Sequence, residues 1–176
     1  MAAILARVQA ALADGDSAGA LTLLDAALVM ARRDPDSTAR GLLQRGLGDV
    51  HAQSGRADAA LRQYEDAITA LRLAGNAAAE ADTWLSAGDA QRTLQRPEKA
   101  AQAYATAGAL FESVDDPCGA GHSQFRRAGL AGAERADTAE AHYARAVELY
   151  TEAADRQSGG LRLTNPHLPD VVQDSR

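Results

Sequence analysis

Residues 41–76 read GLLQRGLGDVHAQSGRADAALRQYEDAITALRLAGN, and this stretch decides the fold. Small and apolar residues recur at helical spacing on both sides of a break at Ser54–Gly55–Arg56. Before the break they are Leu43, Leu47, Gly48 and Val50. After it, Ala60, Leu61, Tyr64, Ala67, Ile68 and Leu71 approximate an i, i+3, i+4, i+7 stripe. Glycine just past the first segment suits a left-handed helix C-cap, and Asp58 places negative charge in the first turn of the second. The spacing predicts two antiparallel helices. Gly48, Ala60 and Ala67 lie where the backbones approach, and Tyr64 supplies the bulk between them.

The pattern repeats at a spacing of 40 residues. Forty positions on stand Trp84, Ala87, Gly88, Ala100, Tyr104 and Ala107; forty back stand Ile4, Val8, Gly15, Ala20, Leu24 and Ala27. In a fourth unit Phe125 and Ala128 hold the register, whereas Ala139, Tyr143 and Ala146 come one residue early. That shift predicts a single deletion in the turn near Glu134–Asp137. Helix pairs that recur at a fixed spacing cannot bury their apolar faces alone, so they stack into a solenoid.

Leu47, Gly48, Ala60, Tyr64 and Ala67, with Trp84 in the next unit, resemble the signature of the tetratricopeptide repeat (TPR) family. His51 departs from it, standing where the family prefers an aromatic. The common unit of that family is 34 residues, and the 40-residue spacing here resembles its long-helix variants. The resemblance implies an all-α, right-handed α-solenoid of four helix pairs, eight helices in all, with the first helix of each pair lining a concave groove. One domain is expected over residues 1–158, in units of about 1–40, 41–80, 81–120 and 121–158. Residues 159–176, with Pro166 and Pro169, read as an extended or disordered tail. Pro97 and Pro117 each fit the first turn of a helix, Asp116 being the expected cap of the latter.

Composition narrows the function. The chain is 46% hydrophobic but only 4% aromatic, which suits close-packed helices and disfavours sheet. Its net charge is −6, and the basic residues are scattered, so no nucleic-acid face is expected. Cys118 is the only cysteine, which excludes an intrachain disulfide and a zinc site built on several thiolates. Arg7 and Gln9 interrupt the first apolar run, which reads as an amphipathic helix and not a signal peptide. With no span of about 20 apolar residues, no membrane contact is expected, and the expected compartment is the cytoplasm.

No catalytic constellation emerges. His51, His122, His142 and His167 lack metal-ligand spacing, and the Asp115–Asp116 pair sits at a helix cap. No enzyme activity, metal or cofactor is expected. Trp84, Tyr64, Tyr104 and Tyr143 read as packing residues between helices. The resemblance instead directs attention to the groove, where it selects Arg45, Asp49, Gln53, Asp82, Leu85, Ser86, Asp89 and Arg92, then His122, Phe125 and Arg126. Asp49 and Asp89 stand one repeat apart and, with Asp82, are expected to receive a basic group. Arg45–Asp49 and Asp89–Arg92 are also at local pairing distance along their helices. The lysine- and asparagine-based carboxylate clamp of some TPR proteins is absent: Leu5, Gln9, Gly46, Asp82 and Ser86 stand there, and a shifted frame gives Arg45, Asp49 and Ser86. An asparagine ladder is absent too, since the only asparagines are Asn76 and Asn165.

The expected function is a protein-interaction adaptor that binds a basic-plus-apolar peptide or helix of another protein in its groove. The alternatives are a peptide- or small-ligand-sensing regulatory module and a self-assembling solenoid. Val147, Leu149 and Tyr150 leave apolar surface on the last helix. Leu161, Leu163, Leu168, Val171 and Val172 of the tail are its expected cover, in the same molecule or a neighbouring one, giving a route to self-association.

Overall fold

The structure, a computed structural model, describes residues 2–31, 37–131 and 136–158. These residues form eight α-helices and no strand: α1 (Ala2–Ala13), α2 (Ser17–Ala31), α3 (Ser37–Gln53), α4 (Ala57–Leu73), α5 (Ala77–Thr93), α6 (Pro97–Ser113), α7 (Pro117–Ala131) and α8 (Ala136–Ser158). The all-α solenoid expected from the spacing is the architecture found. Each helix packs on the next in the chain, and α3 also touches α5 as α5 touches α7. The first helices of successive units therefore stand side by side along one face.

The 40-residue spacing contains a finer one. Helices α3 to α6 are each 17 residues long and are joined by turns of one conformation. Gly15, Gly55 and Gly75 have φ of 76°, 72° and 69°, and Gln95 and Asp115 adopt the same region at 57° and 58°. At each of these turns two backbone N–H groups reach back to the carbonyls of the helix just ended. Arg56 N donates to His51 O and Gly55 N to Ala52 O, for example, with the same pairs around Gly15, Gly75, Gln95 and Asp115. This is the Schellman arrangement, which satisfies carbonyls that a helix end would otherwise leave open. Asp16, Asn76 and Asp116 then cap the following helices, accepting from Gly19, Ala79 and Gly119 N at 2.8, 3.1 and 2.9 Å. Asp116 thus holds the capping role expected of it.

Within a unit, the tyrosine ring lies on glycine. A Cβ added at Gly48 would collide with the Tyr64 ring, and one at Gly88 with the Tyr104 ring. Both tyrosines are buried, at 2% and 0% exposure. Gly41 likewise makes room for Leu71, where a Cβ would lie 2.6 Å from Cγ. Its counterpart Gly121 makes room for Tyr150 at 2.9 Å. Gly41 and Leu71 are 30 apart in the chain (71 − 41), and Gly121 and Tyr150 are 29 apart (150 − 121). The one-residue shift read from the sequence is therefore present in the packing of the fourth unit. Its turn falls at residues 132–135, outside the described residues.

Tyr143 differs from the packing role expected of it. It is 42% exposed and leans edge-on against Phe125, ring centres 5.5 Å apart. Buried Ala128 stands where Gly48 and Gly88 stand, and at those two glycines an added Cβ would collide with the ring. Trp84 keeps its packing role, half-buried on the core with Nε1 donating to Glu80 Oε1 at 3.3 Å. Glu80 is itself buried and also accepts from Arg72 Nε and Nη2 at 3.0 and 2.6 Å, pinning the end of α4 to the start of α5. The tail residues Leu161, Leu163, Leu168, Val171 and Val172 lie outside the described residues.

The glycine–tyrosine contact makes a prediction with an internal control. Gly88→Ala should destabilise the chain by about 1–3 kcal/mol through overpacking against Tyr104. Gly129→Ala, with no heavy atom within 4 Å of its added methyl, should be neutral or stabilising by up to about 1 kcal/mol. Urea denaturation followed by circular dichroism compares the two; equal destabilisation would refute the packing account.

Candidate functional site

The side-by-side first helices line a trough of three adjoining hollows. The first, about 330 Å³, is bounded by Val8, Leu12, Leu42, Arg45, Asp49 and Gln53. The second, about 280 Å³, shares Asp49 and Gln53 and continues through Tyr64 and Ser86 to Asp89 and Thr93. The third is the largest at about 540 Å³, within the range of small-ligand and side-chain pockets. Asp89, Arg92, Tyr104, His122, Phe125 and Arg126 line it, together with Gly129 and Tyr150. Most of the residues selected from the sequence thus lie along one surface. Leu85 is the exception: it is buried in the core cluster with Tyr104 and Phe111, because packing against α6 claims its side chain.

The groove acids are not free carboxylates. Tyr64 Oη donates to Asp49 Oδ1 at 2.8 Å, and Tyr104 Oη donates to Asp89 Oδ1 at 2.7 Å. A ring lying on Gly48 or Gly88 brings its hydroxyl to the next residue of the same helix, so the packing residue orients the groove residue. Arg45 lies 4.0 Å from Asp49 and donates to Asp82 Oδ2 at 3.2 Å, joining α3 to α5. Arg126 of α7 binds both oxygens of Asp89, a cross-helix pairing in place of the local Asp89–Arg92 pair. Arg92 lines the same hollow as Tyr104. The result is two networks, Tyr64–Asp49–Arg45–Asp82 and Tyr104–Asp89–Arg126, that tie neighbouring units across the groove floor.

Sequence reasoning left the hydroxyls of Tyr64 and Tyr104, and Tyr150, out of the site. A signal for the first two was present. Buried tyrosine hydroxyls require partners, and both tyrosines stand 15 residues after an aspartate of the groove helix. Tyr150 carried no such signal, since it enters the groove from α8, where it meets His122 edge-on at 5.4 Å. His51 is half-buried, with its pKa pushed below the usual value by burial and then by Arg56 and Arg62.

Burial pushes the Tyr104 hydroxyl up to about 12, assisted by Asp89, so it remains a donor throughout the neutral range. Tyr64 is shifted upward for the same reasons. Asp49 is raised above 3.8 because burial outweighs the Tyr64 hydrogen bond and Arg45. Among the described residues, no group of three or more His, Cys, Asp or Glu is arranged to hold a metal ion. No helix among them is long and apolar enough to cross a membrane.

This fold and groove define a class, an α-solenoid of stacked helical hairpins. Residues 1–73 match the family model for the tetratricopeptide repeat, and the remaining units continue the same fold at the same spacing. Over those 73 residues the chain is similar to that family, and the described residues as a whole form an α-solenoid of stacked helix pairs. The crystal structure of BtubC (BKLC) from P. vanneervenii is similar with a TM-score of 0.77 at 20% identity, covering 85% of this chain and 61% of that one. The chain thus spans about three-fifths of the length of BtubC. A crystal structure of a putative kinesin light chain from Podosopora anserina, with nearly identical TPR-like repeats, is similar with a TM-score of 0.63 at 15% identity. That match covers 91% of this chain and 76% of the other. At these identities the likeness establishes the fold. No curated protein matches the chain.

The raised Asp49 pKa gives a pH prediction. A folded-state value above the unfolded one means that the fold holds this proton more tightly than the open chain. Its contribution is therefore fully present below the unfolded pKa and is lost as pH rises through the folded one. Asp49→Asn removes that dependence while keeping an acceptor for Tyr64. Its stability relative to the unsubstituted protein should rise from acid toward neutral pH, measured by denaturant unfolding at each pH; a decline would contradict the burial account.

Proposed function

We propose that this protein is an interaction module that holds a peptide or helix of a partner protein in the trough along α1, α3, α5 and α7. TPR-like folds generally serve protein–protein interaction or scaffolding, and stacked hairpins present extended concave surfaces for it. The observation that carries the reading is the chain of three adjoining hollows, which ends in an aromatic-walled pocket of about 540 Å³. Phe125 is exposed there, beside Tyr104 and Tyr150.

In this reading the partner brings apolar groups to Phe125 and a basic group to the acids. Asp49, Asp82 and Asp89 are partly exposed, and their arginine partners Arg45 and Arg126 are partly exposed too. Such pairs contribute about 0–1 kcal/mol, so an incoming lysine or arginine exchanges for them at little cost. Gln53 and Arg92 sit at the rims, placed to bond a peptide backbone or carboxylate.

Selection of displayed peptides against the full chain tests this. Enriched sequences should combine basic and apolar residues, and their affinity should fall as salt is raised. Asp49→Ala/Asp89→Ala and Phe125→Ala should each weaken binding about tenfold, the loss of roughly 1.4 kcal/mol. Enrichment of acidic sequences, or binding indifferent to all three substitutions, would overturn the reading.

A further inference from the structure

We propose that α8 of one copy docks on α1 of a second copy, continuing the solenoid head to tail. The positions on the outer faces of α8 and α1 correspond, by the repeat, to positions that meet at the inner junctions.

Each inner junction supplies one contact between a second helix and the following first helix. Gly108 of α6 meets Ser123 of α7, where a Cβ would lie 3.3 Å from Ser123 Cβ. Leu24 of α2 meets Gly46 of α3, where a Cβ would lie 3.1 Å from Leu24 Cδ2. Leu61 and Tyr64 of α4 share a core cluster with Ala87 and Ala90 of α5.

Translated by the repeat, and by the one-residue shift of the last unit, each contact names a pair at the ends. Val147 of α8 corresponds to Gly108, and Ala3 of α1 to Ser123. Tyr143 corresponds to Leu24 and Tyr64, and Ala6 to Gly46. Glu140 corresponds to Leu61, while Arg7 and Ala10 correspond to Ala87 and Ala90.

These end residues are open where their inner counterparts are covered. Val147 is 63% exposed, whereas Gly108 and Ile68, one and two repeats back, are buried. Ala3, Ala6, Arg7 and Ala10 are all exposed. By contrast Leu43, Thr83 and Ser123, which repeat from Ala3, are buried, as are Val50 and Ala90, which repeat from Ala10. α8 thus presents bulky groups at the positions that receive a next helix. α1 presents small ones at the positions that receive a preceding helix, as Gly46 does for Leu24.

Charge selects the occupant. Arg7 and Glu140 are exposed and opposite in sign, and they stand at two positions that are apolar and clustered together at the inner junction of α4 and α5. Docking of α8 on α1 of a second copy sets Glu140 against Arg7. Cover by residues 159–176 of the same chain, or by an unrelated helix, does not account for the matching charge at the far end of the molecule. The contact is heterologous, so it propagates into open chains or closes into rings.

The test uses the full chain in sedimentation velocity at low salt over a wide concentration range. Concentration-dependent oligomers are expected. Arg7→Glu alone and Glu140→Arg alone should each weaken association roughly tenfold, since each sets like charges together. The double variant should restore it. A mixture of the two single variants should also restore it, because alternating copies again oppose unlike charges at every junction. Both residues are exposed, so circular dichroism should be unchanged. A monomer at all concentrations, or association that ignores both charge reversals, would overturn the proposal. So would association that depends on residues 159–176 and is lost from a chain ending at residue 158.

Discussion

A tyrosine ring lying on a glycine is the contact on which this structure depends. It sets how closely the two helices of the second and third units approach, because only a residue without Cβ leaves room for the ring at Gly48 and Gly88. The same contact reaches into the groove. The ring passes over the glycine and its hydroxyl meets the adjacent aspartate, so Asp49 and Asp89 are aimed by the residues that hold the units together. Packing and site are thus one feature seen from two sides.

The fourth unit lacks this contact, and its groove surface differs accordingly. With Ala128 in place of the glycine and Gly129 in place of the aspartate, Tyr143 neither enters the core nor orients an acid. It turns to Phe125, and the groove changes character there from a polar floor to an aromatic wall. Two adjacent differences at the helix crossing, Ala128 and Gly129, therefore separate two kinds of surface along one trough. The first unit differs again: Val8 and Leu24 fill the crossing with aliphatic bulk, and its hollow is bounded by Leu12 and Leu42.

Helix length accounts for a spacing of 40, against the 34 of the common TPR unit. Each of the inner helices runs 17 residues and closes with a Schellman turn, two such modules making one unit. Gln95 and Asp115 accept the left-handed conformation that Gly15, Gly55 and Gly75 adopt freely. The turn is imposed by the stacking as much as by its own residue. Glu80 is a related case, a buried carboxylate held by Arg72 and Trp84 at a single junction of the array.

The sequence by itself determined the helices, their pairing, the repeat and the one-residue shift of the last unit. Each of these is written in periodicity, which is local and repeated, so one ambiguous unit is corrected by its neighbours. The helix faces along the trough were selected by the family resemblance and not by the spacing. Tertiary structure alone decided which charges meet. Asp89 takes Arg126, 37 residues away, over Arg92 on its own helix, and Arg45 reaches Asp82 across the same interval. It also withdrew Leu85 into the core and brought Tyr150 into the groove. Helical spacing fixes the face on which a side chain stands. Its partner depends on the distance between stacked units, and side chains as long as arginine reach across that gap as readily as along their own helix.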